Sequence, residues 1–166
     1  MNKLLILLCL VTFSASGQNI RDYYVTNNQL DGTLFFIFPL SLFEERGNGD
    51  LTMDITYKTK RDSATVNFTY YQTSITVADS VSFDGNTERL SGIPQKLYIE
   101  AQKLPHWEHR YSLKVPFKQL SAIFAKETPF RIHIYSQGKL LTYNPKRAGW
   151  SKHIKIIHTI LEMTQM

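Results

Sequence analysis

Residues 51–70 read LTMDITYKTKRDSATVNFTY, and this stretch decides the fold class. Leu51, Met53, Ile55 and Tyr57 alternate with Thr52, Asp54, Thr56 and Lys58. Val66, Phe68 and Tyr70 alternate in the same way with Thr65, Asn67 and Thr69. A period of two sends successive side chains to opposite faces of a strand, so each run predicts a strand with one face in a core and one in water. The polar segment 58–63 between them reads as a hairpin loop. On this reading Asp54 is a solvated carboxylate. Asn67 opens the glycosylation sequon Asn67-Phe68-Thr69 but is more simply an outward-facing strand residue.

The flanks extend the pattern. Residues 33–38 (TLFFIF) are apolar on both faces, which predicts a fully buried strand. Gly47-Asn48-Gly49-Asp50 is a turn cluster, and a further strand within 74–83 ends at Asp84-Gly85-Asn86. Leu97 with Ile99, and Tyr111 with Leu113 and Val115, mark two more half-buried strands, with 104–109 (LPHWEH) as the loop between them. Pro116 opens a short helix near 117–125, where Phe117, Leu120, Ile123 and Phe124 share one face. Residues 131–136 (RIHIYS) return as a strand, and Gln137-Gly138 turns it into 139–143. In the tail, Ile154, Ile156, Ile157, Ile160, Leu161 and Met163 fall on one half of a helical wheel. Asn144-Pro145 can cap and open a first turn at 145–148, which leaves Gly149 inside the helix at a cost of about 1 kcal/mol. Ser151 is an alternative cap for a main helix starting near 151.

Six prolines (39, 94, 105, 116, 129 and 145) punctuate these short segments. Most connections are too short for helical crossovers, which favours antiparallel pairing. The expected architecture is mainly β (α+β): an antiparallel, sandwich-like domain with a short helix near 117–125 and a C-terminal helix. The sequence does not choose between two packed sheets and one curved sheet.

Residues 1–17 (MNKLLILLCLVTFSASG) combine Lys3, an apolar run over 4–13 and small residues Ala15 and Gly17 ahead of Gln18. That is the pattern of a cleaved export signal, and the run is well short of the ~20 residues that span a bilayer. Residues 18–166 are then one β-rich domain, periplasmic or secreted, with no transmembrane segment after cleavage. Removal of the signal takes away Cys9, the single cysteine. No disulfide, thiol nucleophile or thiolate metal site can then remain. The chain is 43% hydrophobic and 20% charged, with 19 Lys and Arg against 14 Asp and Glu, which excludes a disordered or multi-pass membrane protein. A charge excess this small does not point to nucleic acid.

Several constellations bear on chemistry. His106-Trp107-Glu108-His109 offers metal-ligand types, but its spacing is not that of the helical H-E-x-x-H motif, and a third ligand such as His133 would have to come from elsewhere. Asp54, Asp79, Asp84, Glu88, Glu100 and Glu108 are scattered, and no spacing selects an acid/base pair. Neither a G-x-S-x-G elbow nor a Gly-rich phosphate loop occurs. Lys146, Arg147, Trp150, Lys152, His153 and Lys155 cluster at the start of the terminal helix, where positive charge opposes the helix dipole. That conflict makes Lys146, Arg147, Trp150, Lys152 and Lys155 the candidate binding residues, with Trp107 as a separate aromatic anchor. The sequence therefore leads to an exported, non-catalytic β domain that binds a protein or an acidic surface component and needs no cofactor. A small secreted hydrolase using carboxylates or His, and a peripheral membrane-associated protein, are the alternatives.

Overall fold

The computed structural model describes residues 19–45, 49–86, 88–102, 105–126 and 128–165. The export signal read in 1–17 lies outside them, as do parts of the expected turns at 47–50 and 104–109. After a 3-10 turn at Ile20–Tyr23, the described residues form strands β1 (Tyr24–Gln29), β2 (Gly32–Glu45), β3 (Gly49–Lys58), β4 (Ser63–Gln72), β5 (Ser80–Asp84), β6 (Arg89–Gly92), β7 (Gln95–Ala101) and β8 (Trp107–Pro116). Helix α1 (Phe117–Ala125), strands β9 (Arg131–Ser136) and β10 (Lys139–Pro145), and helix α2 (Trp150–Met163) follow. Among the described residues every pairing is antiparallel, in the order β6-β5-β9-β10-β2-β3-β4-β8-β7, with β1 also on β2.

The mainly β, antiparallel class holds. The pairing gives a curled half-barrel with two helices and does not bear out a sandwich of two separate sheets. Two features cause the curl. Strand β2 is long and shifts register between Ile37 and Leu40 and again between Ser41 and Phe43, so its first half pairs with β1 and its second half with β10. Pro39 sits at the first shift, where a missing N–H does not interrupt the ladder. This proline is therefore internal to a strand rather than a boundary. The second feature is the join between the two ends of the sheet: β6 and β7 are consecutive in the chain, and a Cβ on Gly92 would lie 2.9 Å from Leu113 Cδ1 of β8. Glycine is what lets β6 close on β8.

The alternating runs on β3 and β4 land as expected. Met53, Ile55 and Tyr57 oppose Phe68, Val66 and Ala64, and these in turn oppose Tyr111, Leu113 and Val115 of β8, all buried. The helices fill the concave side. Phe117, Leu120, Ile123 and Phe124 of α1 and Ile154, Ile157, Ile160 and Leu161 of α2 are buried in the same core.

Several expectations need correction. Residues 33–38 are not fully buried: Phe35 and Ile37 are, while Leu34, Phe36 and Phe38 are half-buried on the other face. The strand expected within 74–83 is present as β5 from Ser80, and 73–79 ahead of it is an irregular strap held by side chains. Tyr111 Oη accepts from Ala78 N–H, Ser136 Oγ donates to Val77 O, and Asp79 Oδ2 accepts from Gln137 N–H. Strand β7 is an exposed sheet edge, with Leu97 46% exposed rather than half-buried. The 104–109 loop is short, since β8 already starts at Trp107. Pro145 ends β10 instead of opening a helix, and α2 starts at Trp150. Gly149 is the cap residue, outside the helix with φ 78°, so it carries no helix-interior penalty and supplies a left-handed turn that L side chains resist. Ser151 accordingly lies within the first turn of α2.

His109, expected in a loop, is completely buried on β8. Its ring stacks on Tyr70 at 5.0 Å and its Nε2 hydrogen-bonds Ser74 O. Desolvation holds this imidazole below its ordinary pKa. In the unfolded chain it takes up a proton first as pH falls, so stability is fully present above the ordinary imidazole pKa and declines as pH drops below it. Urea midpoints measured at pH 7.5 and 5 should show this acid-side loss, and His109→Phe should flatten it. An unchanged slope in that variant would assign the loss to other groups.

Candidate functional site

The basic segment does line a groove, but only in part. A cavity of about 600 Å³ is bounded by Asp84, Asn86, Pro129, Arg131, Asn144, Pro145, Lys146, Arg147, Trp150 and Ser151. It lies where the ends of β5, β9 and β10 meet the start of α2. Sequence reading found Lys146, Arg147 and Trp150. It missed Arg131, which stands on β9 and is brought beside them by strand pairing. Only its position on the exposed phase of the 131–136 alternation hinted at an outward role.

The cations of the groove are not equivalent. Lys146 Nζ bonds Asp50 Oδ2 at 2.5 Å and Ser41 Oγ at 2.8 Å, and its N–H donates to Leu42 O. The Lys146 ammonium in turn holds the Asp50 carboxyl below the usual carboxylate range. Lys146 is thus a tether that fixes the turn after β10 to β2 and β3. Arg131 and Arg147 are exposed and have no partner among the described residues, so they carry the available positive charge. Trp150 is only 7% exposed and packs edge-on against Phe43 and Phe130, each at 5.4 Å. Its ring belongs to the core wall of the groove and is not a free surface anchor. Lys152 and Lys155 lie on the exposed side of α2 and do not line the groove, and neither does half-buried Trp107 at the start of β8.

Next to the groove, strand register assembles a row the sequence did not announce. His133 Nδ1 and Thr142 Oγ1 share a 3.0 Å hydrogen bond across β9 and β10. His133 Nε2 lies 3.5 Å from Asp84 Oδ2 on β5, and Arg89 Nε lies 3.1 Å from Asp84 Oδ1. The order hydroxyl, imidazole, carboxylate is that of a nucleophile with its base. Yet the N–H of Thr142 is already donated to Glu45 Oε1 at 3.2 Å, so it cannot stabilise an oxyanion.

Asp54, Glu108 and Glu88 are engaged elsewhere. Both oxygens of fully buried Asp54 are occupied, by Asn67 Nδ2 at 2.7 Å and by Arg110 at 2.6 Å, so it is not the solvated residue expected from its strand phase. Asn67 Nδ2, the atom a glycan would occupy, is used in that bond. Glu108 accepts from Tyr98 Oη at 2.7 Å and from Tyr71 Oη at 3.2 Å, which pushes the Tyr98 phenol up to about 12. Lys126 lies 3.6 Å from Glu88. Among the described residues no three His, Cys, Asp or Glu side chains form a metal-holding group, and His133 does not join the 106–109 segment. No described helix is long and apolar enough to cross a membrane.

No family model, curated protein or solved structure matches this chain.

Proposed function

We propose that this protein is an exported, non-catalytic β domain that binds an acidic group of a protein or surface component in the groove between β9, β10 and α2. One observation carries the reading. Arg131 from β9 and Arg147 from the turn after β10, both without partners among the described residues, line one cavity at the uncapped start of a 14-residue helix. Helix N-termini favour negative charge, and two guanidinium groups add planar forks suited to carboxylate or sulfate. The tether through Lys146 keeps the turn in place, so little ordering is needed on binding. Export rests on the apolar run and small residues of 1–17.

The test is a titration of the chain from Gln18 with polygalacturonate at rising salt. Binding should weaken steeply as salt shortens the screening length to roughly 8 Å. Arg131→Glu combined with Arg147→Glu should cost about tenfold or more in affinity, while Lys152→Glu with Lys155→Glu should cost clearly less. Equal losses in the two pairs would transfer the contact to the outer face of α2, as a peripheral membrane protein would use it. Hydrolysis of an ester or glycoside, abolished by His133→Ala, would replace binding with catalysis through the Thr142–His133–Asp84 row.

A further inference from the structure

At another place on the molecule lies a larger cavity, about 900 Å³, that the basic groove does not share. Its size falls within the usual range for small-molecule sites of roughly 300–1,000 Å³. It is bounded by the β3–β4 loop, the start of β2, the β8–α1 junction and the end of α2. Its apolar floor is formed by the buried rings of Phe35, Tyr57 and Phe117, with Tyr57 and Phe117 stacked at 3.8 Å, and its accessible apolar wall by Pro116 and Met163. Its charged groups are Lys60, Arg61, Asp62 and Lys118.

We propose that this cavity binds a single-chain amphiphilic anion, an apolar body with one carboxylate head, with the body against exposed Pro116 and half-buried Met163 over the floor of the Phe35, Tyr57 and Phe117 rings and the head between Lys60 and Lys118.

Charge selects the head. Arg61 is engaged with Asp31, which also pairs with Lys58. Lys60 and Lys118 have no partner among the described residues. Lys60 stands in the turn after β3 at φ 69°, in the left-handed region that few non-glycine residues adopt. Lys118 stands in the first turn of α1, whose positive end borders the cavity. The opposing negative end of α2 is muted, because Leu161 O accepts from Thr164 Oγ1 and Glu162 O accepts from Gln165 N–H. Among the described residues Asp62 is the one lining carboxylate, against Lys60, Arg61 and Lys118.

Main-chain bonding argues against a peptide. Thr59 N–H donates to Thr33 O, Thr33 N–H donates to Thr59 Oγ1, and Phe117 N–H donates to Asp62 O. Arg61 uses its N–H on Lys58 O and its carbonyl on Tyr57 Oη. An extended peptide would find these groups already paired, whereas an alkyl chain needs only the apolar wall. The same bonds make the rim rigid in advance, which lowers the cost of binding.

The experiment is a heteronuclear NMR titration of the chain from Gln18 with decanoate below its micelle concentration, with decyltrimethylammonium as the cationic control. Saturable shifts should appear for Thr33, Lys60 and Lys118 with decanoate and not with the cation. Lys60→Glu with Lys118→Glu, both surface changes that leave the core intact, should weaken decanoate about tenfold. Arg131→Glu with Arg147→Glu should not, which separates this site from the proposed groove. Equal binding of the cation, no saturable decanoate shifts at these residues, or an unchanged affinity in the lysine variant would each overturn the proposal.

Discussion

Replacing Trp150 by Ala should cost about 3–5 kcal/mol of stability, the range for removing a large aromatic side chain from a packed core. The indole stands at the first position of α2 and joins three parts of the molecule: Phe43 of β2 and Phe130 before β9 each meet it edge-on at 5.4 Å, and Phe130 continues to Phe83 and Phe124. A cavity there loosens the helix start, the long bent strand and the β9 approach together. Urea unfolding of Trp150→Ala and Trp150→Phe separates the two roles this residue can have. If the ring is core, the Ala variant loses several kcal/mol and the Phe variant much less, while polyanion affinity of the folded Phe variant stays near that of the parent. A Trp150→Ala protein of unchanged stability but abolished binding would restore the exposed-anchor role expected from the sequence.

That reversal shows how far residue types reach without a fold. The strand pair 51–70, helix α1 and the apolar stripe of α2 were legible because a repeating period reports burial on one face, and the structure buries Ile154, Ile157 and Leu161 as the stripe demands. Trp150 lies on the same core, but a single aromatic beside three lysines and an arginine reads as surface. The window 74–83 contains the expected strand only from Ser80 onward; Ile75 and Val77 ahead of it are exposed, and hydrogen bonds to Tyr111 and Ser136 hold that segment instead. The groove was half legible. Lys146 and Arg147 are neighbours in sequence, whereas Arg131 and the Thr142–His133–Asp84 row exist only through the pairing of β5, β9 and β10. Long-range register of that kind leaves no local mark.

Asp54 is the sharpest case, because its strand phase predicts water and the structure gives it none. Its side chain is 0% exposed while that of Arg110 is 23% exposed. Arg110 crosses the outer face of the sheet from β8, bonding Thr69 Oγ1 at 2.7 Å and Asp54 Oδ2 at 2.6 Å. Asn67 closes the carboxylate from the strand between them. Removing one member of such a pair strands a buried charge, so Arg110→Met should cost about 3–5 kcal/mol. Asp54→Asn keeps the shape without the charge and leaves the guanidinium access to water, so it should cost less, about 1–3 kcal/mol. The double variant should then be destabilised by clearly less than the sum of the singles, with a coupling of about 1–3 kcal/mol in a urea-monitored double-mutant cycle. An Arg110→Met cost below about 1 kcal/mol would put the pair in the class of exposed ion pairs. In that event water reaches Asp54 after all, and the alternation of 51–58 was the better guide to it than the packing of its neighbours.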